Sequence, residues 1–175
     1  MIRRAALGLA VAALLPAPVA HGWAQEGQRW PGATVSVWNA TEYSANLRDA
    51  MWAWNHAGAN IRLVGARDRR SADVLLRYGA ASEQGQAVVG YSGARSTVLL
   101  AHGLAPAAAT ALAAHELGHV LGLGHETHAC SVMTPVIEIG VASRCSIATC
   151  RLLRRCLVQP DDATGLRALY GRRRG

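Results

Sequence analysis

The order of patterns along this chain predicts an α+β domain on a mostly parallel sheet. Three observations carry that expectation. Strand-like and helix-like segments follow in the order strand, helix, four strands, helix. Asp73–Tyr78 is a nearly continuous apolar run, as suits a strand buried on both faces. The chain has 175 residues and is 51% hydrophobic, enough for one domain with a real core.

Residues 1–24 read as a secretory signal. Arg3 and Arg4 precede the short apolar run Ala5–Leu15, which Pro16 and Pro18 break. Gly22-Trp23-Ala24 offers small residues to a signal peptidase, so Gln25 is the expected mature N-terminus, and cleavage after Ala20 is the alternative. Residues 25–175 then form a single domain. The run is too short and too Pro-broken to span a bilayer, and no later segment qualifies, so a secreted protein is expected. About ten residues separate this cleavage point from the first strand, too few for a folded pro-domain.

Ala33–Asn39 alternates with Val35 and Val37 on one face and reads as the first strand. Asn39 and Glu42 are spaced for a capping box. Tyr43, Leu47, Ala50, Met51 and Trp54 repeat at helical spacing, which predicts an amphipathic helix over 42–57, ended by Gly58. Ile61–Val64 and Asp73–Tyr78 are the next strands. After a loop over Gly79–Gln86, Ala87–Tyr91 and Thr97–Ala101 read as two more, around a turn at Gly93. Pro106 opens an Ala-rich helix over 107–121. A last helix starts at Gln159-Pro160-Asp161-Asp162 and ends at Gly171.

The Ala-rich helix carries His115-Glu116-Leu117-Gly118-His119, followed by Gly122 and His125. Residues four apart share a helix face, so His115 and His119 can hold one Zn²⁺. Glu116 lies beside them without having to ligate and is free to act as a general base. Gly122 can end the helix in a left-handed conformation, letting the chain turn back with His125 as third ligand. Three ligands leave one tetrahedral position open, the arrangement of a catalytic site. His128 is the rival for the third position. His56 and His102 have no motif partner.

At these residues the sequence resembles the metzincin clan of zinc endopeptidases. Met133, in Ser131-Val132-Met133-Thr134-Pro135, stands where metzincins place a Met in a tight turn beneath the zinc. The His-to-Met spacing, the Met-x-Pro ending and the Asp-led last helix ending in Tyr170-Gly171 look most like the matrixin branch. This resemblance implies a twisted five-stranded sheet with one antiparallel edge strand bordering the cleft, and three main helices. It implies one catalytic Zn²⁺ bound by His115, His119 and His125, with Glu116 as general base and Met133 packing beneath. A peptide substrate would lie along Val88, Val89, Gly90 and Tyr91, with Pro135, Val136, Ile137 and Ile139 near an apolar side-chain pocket.

The chain departs from the family in places. Glu126 follows the third His where matrixins usually have Ser, and residues 136–158 form an unfamiliar Cys-rich segment. No Cys precedes Cys130, so the pro-segment Cys of many secreted metzincins is absent. Asp68, Asp73, Glu83 and His102 are too scattered to predict structural Ca²⁺, although matrixins commonly hold it. Cys130, Cys145, Cys150 and Cys156 are even in number in an exported chain, so two disulfides are the default, with three connectivities possible. A free Cys130 thiolate that blocks the zinc is the alternative.

The expected function is a secreted zinc-dependent endopeptidase with a protein or peptide substrate, acting as a monomer. A catalytically silent metzincin-fold binding protein is the alternative. The net charge of +7 falls to +5 without Arg3 and Arg4, and every basic residue is Arg. No nucleic-acid module accompanies this charge, so it reads as a solvated basic surface.

Overall fold

The computed structural model describes residues 23–79, 85–126, 131–135 and 153–174. Five strands form one sheet: β1 (Thr34–Asn39), β2 (Arg62–Gly65), β3 (Val74–Tyr78), β4 (Gly85–Ala87) and β5 (Ser96–Leu100). Their order is β2-β1-β3-β5-β4, and every pairing is parallel except that of β4 with β5. This is the mostly parallel α+β architecture, with its antiparallel strand at an edge. Parallel neighbours need long crossovers, and α1 (Ser44–Asn55) supplies the one between β1 and β2. α2 (Pro106–Val120) follows β5, the single-turn α3 is Leu153–Cys156, and α4 (Pro160–Tyr170) closes the fold.

The core lies between the sheet and the paired helices α1 and α2. Val35, Val37, Val74, Leu76, Val98 and Leu100 project from the strands and are buried. Leu47 and Trp54 meet them from α1, Leu117 and Val120 from α2. Trp54 does two jobs there: its ring fills the core, and its indole N–H donates to the Ala114 carbonyl (2.8 Å), tying α1 to α2. β3 alternates between buried and half-buried residues up to the exposed Arg77, so only one of its faces is fully buried and the expected burial on both faces does not hold: the core helices pack on one side of the sheet.

Two local expectations need correction. The first helix starts at Ser44, and no side chain caps it. Asn39 does not reach forward to a capping box. Its Oδ1 accepts from the Thr41 backbone (2.9 Å) and hydroxyl (2.8 Å), closing a turn instead. The fourth strand is Gly85–Ala87, not Ala87–Tyr91. Beyond Ala87 the backbone leaves the sheet because its donors go elsewhere: Gly90 N–H donates to the His119 carbonyl (2.8 Å) and Tyr91 N–H to that of Gln28 (2.8 Å).

Cys156 is disulfide-bonded. Residues 1–22, Glu83, His128, Cys130, Val136, Ile137, Ile139, Cys145 and Cys150 lie outside the described residues. Asp68, Asp73 and His102 sit apart with local partners. Asp68 closes a turn onto the backbone N–H groups of Arg70 and Ser71, Asp73 accepts from Ser36, and His102 stacks on Tyr78. Among the described residues no helix is long and apolar enough to cross a membrane.

Candidate metal centre

α2 is Ala-rich along its first turns and begins with Pro106 in its first turn, where a missing N–H costs nothing. Its last two turns are fully buried, and His115, Glu116 and His119 lie there. The helix stops at Gly122, whose φ of 95° would strain any residue with a side chain. That reversal returns His125 to the helix. The three Nε2 atoms stand 3.1 Å (His115 to His119), 3.2 Å (His119 to His125) and 3.3 Å (His115 to His125) apart.

The bonds on the far side of the rings decide what those nitrogens carry. His115 Nδ1 lies 2.8 Å from the Val132 carbonyl and His119 Nδ1 2.9 Å from the Leu123 carbonyl. A carbonyl only accepts, so each Nδ1 holds the proton and each Nε2 presents a lone pair. Burial, with repulsion from His119 and His125, drives His115 down to about 4, and burial likewise lowers His119. Both rings are therefore neutral near pH 7, the form that metal binding requires. Lone pairs in contact repel unless a cation lies between them. Zinc held tetrahedrally at about 2.0–2.1 Å from each nitrogen needs them roughly 3.3 Å apart. The observed spacing fits, and the three-histidine cluster is a site that fits zinc.

Glu116 adds a carboxyl to the same cleft. It is buried, its Oε2 has no hydrogen-bond partner, and burial pushes it up to about 7. Gly85 of β4 lies hard against it, since a methyl group there would stand 2.4 Å from Glu116 Oε1. The surrounding cleft encloses about 360 Å³, with Gln86, Ala87 and Val89 along one wall and Leu112, Pro135 and Glu26 around the rest.

Of the residues expected along the substrate, Val89 and Pro135 line this cleft. Val88 is exposed, and the backbone donors of Gly90 and Tyr91 are already committed inside the fold. Gly85, Gln86, Leu112 and Glu26 carried no signal that placed them there. Glu26 stood in a stretch too short to be read as more than a connection.

Met133 is buried and packs against Gly118, where a methyl group would stand 2.2 Å from its sulfur. Its turn is fastened by Asp162 at the start of α4. Asp162 accepts from the Ser131 hydroxyl, the Val132 backbone N–H (3.0 Å) and the Gln159 N–H (2.7 Å). Burial pushes the Asp162 carboxyl up, and those three bonds pull it back. Val132 thus joins two links: its N–H goes to Asp162 and its carbonyl to His115.

The last carbonyls of α2 gain partners from other segments, in addition to the Gly122 N–H that already reaches His119 (2.8 Å). The Trp30 indole N–H donates to Val120 (2.8 Å), the Tyr170 hydroxyl to Leu121 (2.9 Å), and Gly90 N–H to His119. The segment before β1, the loop after β4 and the last helix therefore hold the turn that leads to His125 from three sides.

Comparison with known proteins bears on the same region. The matrixin family model matches residues 107–171. Matrix metalloproteinase-19 of Homo sapiens is 39% identical over 62 residues, which cover 35% of this chain and 10% of that protein. Matrix metalloproteinase-19 of Mus musculus gives the same identity and coverage. The match thus spans about a tenth of the length of these relatives. The family match begins in the first turn of α2 and ends one residue beyond α4, so it takes in both helices that position the histidines, and on that ground the chain carries a matrixin-like domain.

Proposed function

We propose that this protein is a secreted zinc-dependent endopeptidase. One observation carries the reading: three imidazole nitrogens within 3.3 Å of one another share a cleft with a buried carboxylate oxygen that has no partner. A closed structural site would have no use for that carboxyl.

Zn²⁺ bound there would supply Lewis acidity to a peptide carbonyl and bring the pKa of a water toward about 7. Val132 and Leu123 hold two rings in the tautomer that leaves Nε2 free for the metal. Glu116 accepts a proton at Oε2 and returns it to the departing amine. Glu116 is itself buried, which limits the competition of bulk water for that proton. An extended substrate would add to the open edge of β4, pairing with the backbone of Gly85–Ala87. Val136 and Ile137 remain candidates for an apolar side-chain pocket beyond Pro135.

Replacing Glu116 by Ala is the direct test. That variant should still bind zinc but lose at least about a hundredfold in casein or peptide hydrolysis. Near-parental hydrolysis would remove Glu116 from the mechanism. Zinc binding by the parent with no peptidase activity would favour a silent binding protein. His119→Ala should lose metal and activity together.

Export is supported by the charged and apolar pattern of residues 1–24. Trp23 packs over Gly165, and the Ala24 carbonyl accepts from Gly124 N–H (2.8 Å), which supports cleavage after Ala20 over cleavage after Ala24. N-terminal sequencing of the exported protein separates the two. Two disulfides among Cys130, Cys145, Cys150 and Cys156 complete the reading, and non-reducing peptide mapping assigns their pairs.

A further inference from the structure

The residues just before β1 run beside the metal-binding turn as a short added strand. Gln25 bridges Leu123 in antiparallel fashion. The N–H groups of Glu26 and Gly27 both donate to the Gly122 carbonyl (3.2 and 3.3 Å), and Gly124 N–H donates back to Ala24 (2.8 Å). These ties fix the backbone of Glu26. Its side chain then lies across Gly124, the residue before His125. A methyl group on Gly124 would stand 2.4 Å from Glu26 Cγ and 2.7 Å from its Oε1. The carboxylate is exposed on the wall of the cleft, beside the three imidazoles but outside their cluster.

The charge around it is uneven. The chain as a whole is basic, with a net charge of +7. Yet among the described residues the cleft is lined by two carboxylates, Glu26 and Glu116, and by no Arg. Glu116 is buried and bound to the chemistry proposed above. Glu26 is exposed, held by its backbone, and accepts no proton in that chemistry, although its charge acts on the neighbouring His119. An exposed carboxylate on a fixed backbone meets a cation with less ordering cost than one on a mobile loop.

We propose that Glu26 is a specificity-determining residue: its carboxylate pairs with an Arg or Lys side chain of a peptide bound at the His125 end of the cleft. The inference rests on the peptidase reading for its setting. It adds a preference that the apolar lining formed by Ala87, Val89, Leu112 and Pro135 does not supply. The pairing is exposed, so its effect is modest and screened by salt.

The test separates binding from turnover. Zinc-loaded Glu116→Ala protein is titrated by fluorescence anisotropy with labelled peptides in which one Arg is walked along a neutral sequence. A matched set carries citrulline, which keeps the shape and loses the charge. At one position the Arg peptide should bind about three- to fivefold tighter than its citrulline twin. Adding Glu26→Gln should close that gap and leave the citrulline set unchanged, and high salt should close it too. A gap that persists in the double variant overturns the proposal. So does equal weakening of both sets, or no binding to any peptide. The parent and the single Glu26→Gln variant are then assayed for cleavage of the same peptides. Faster cleavage of both sets by Glu26→Gln also overturns the proposal, because the carboxylate would then restrain the centre without choosing among substrates. A Glu26-dependent gap in binding, with no cleavage by the parent, sinks the peptidase reading alone. Cleavage without the gap sinks the role of Glu26 alone.

Discussion

Gly118 sits between His115 and His119, where the motif tolerates many residues, yet in this fold it has no room to change. A methyl group there would meet the Met133 sulfur at 2.2 Å and the Trp54 ring at 2.9 Å. Gly118→Ala should therefore cost about 1–3 kcal/mol through overpacking, outweighing the better helix propensity of Ala, which contributes about 1 kcal/mol. Urea denaturation measures it, and a variant as stable as the parent would mean that Met133 yields. Asp162 makes a second prediction at this scale. Asp162→Asn keeps the shape but turns one acceptor into a donor that must face N–H or O–H groups. It should lose about 1–3 kcal/mol, since the amide oxygen can keep the Val132 and Gln159 N–H groups while the buried Ser131 hydroxyl loses its acceptor. The residues of the histidine motif were legible in the sequence because each has its own chemical or conformational reason. Asp162 was legible only as a helix-start residue. Its partners Ser131 and Val132 lie 31 and 30 positions away, and no local pattern links them.

Among the elements, α2 depends most on its neighbours. Its sequence is strongly helical by propensity, but the histidines need its last turn held in one orientation. Tyr170 on α4 accepts from Trp30 N–H (3.1 Å) and donates to the Leu121 carbonyl (2.9 Å), so one hydroxyl joins the segment before β1, the end of α2 and α4. Tyr170→Phe should lower stability by about 1–2 kcal/mol and leave the ring packing in place. Thermal unfolding of the metal-free protein reads this without interference from metal affinity. The shift of β4 belongs to the same scale. Ala87–Tyr91 has strand-like residues, but a strand forms only where its N–H and C=O groups find a ladder. Gly90 and Tyr91 find His119 and Gln28 instead. Residue preference could not anticipate that choice, because the competing acceptors come from α2 and from the segment before β1.

For the whole molecule, the histidine cluster and the fold support each other. His115 and His119 come from a helix, His125 from the turn beyond it, and the parts holding them reach from residue 24 to Tyr170. Metal that binds this arrangement and not the unfolded chain should stabilise it, by about 2.7 kcal/mol at a free concentration one hundred times its dissociation constant. Differential scanning fluorimetry with zinc and with a chelator checks this. Equal melting temperatures in both would mean that the cluster does not hold the ion. What the sequence by itself determined is the local chemistry: a helix from Ala-rich propensity, two histidines on one face from their spacing, a reversal at Gly122, and a mostly parallel sheet from the order of apolar segments. Only the tertiary structure decided which strand edge borders the cleft, what holds the Met133 turn, and that Glu26 stands at the wall of the site. The division has a physical reason. Propensity and periodicity act over one or two turns of chain, whereas the bonds to Val132, Leu121 and Gly122 need partners that only the folded core brings within 3.3 Å.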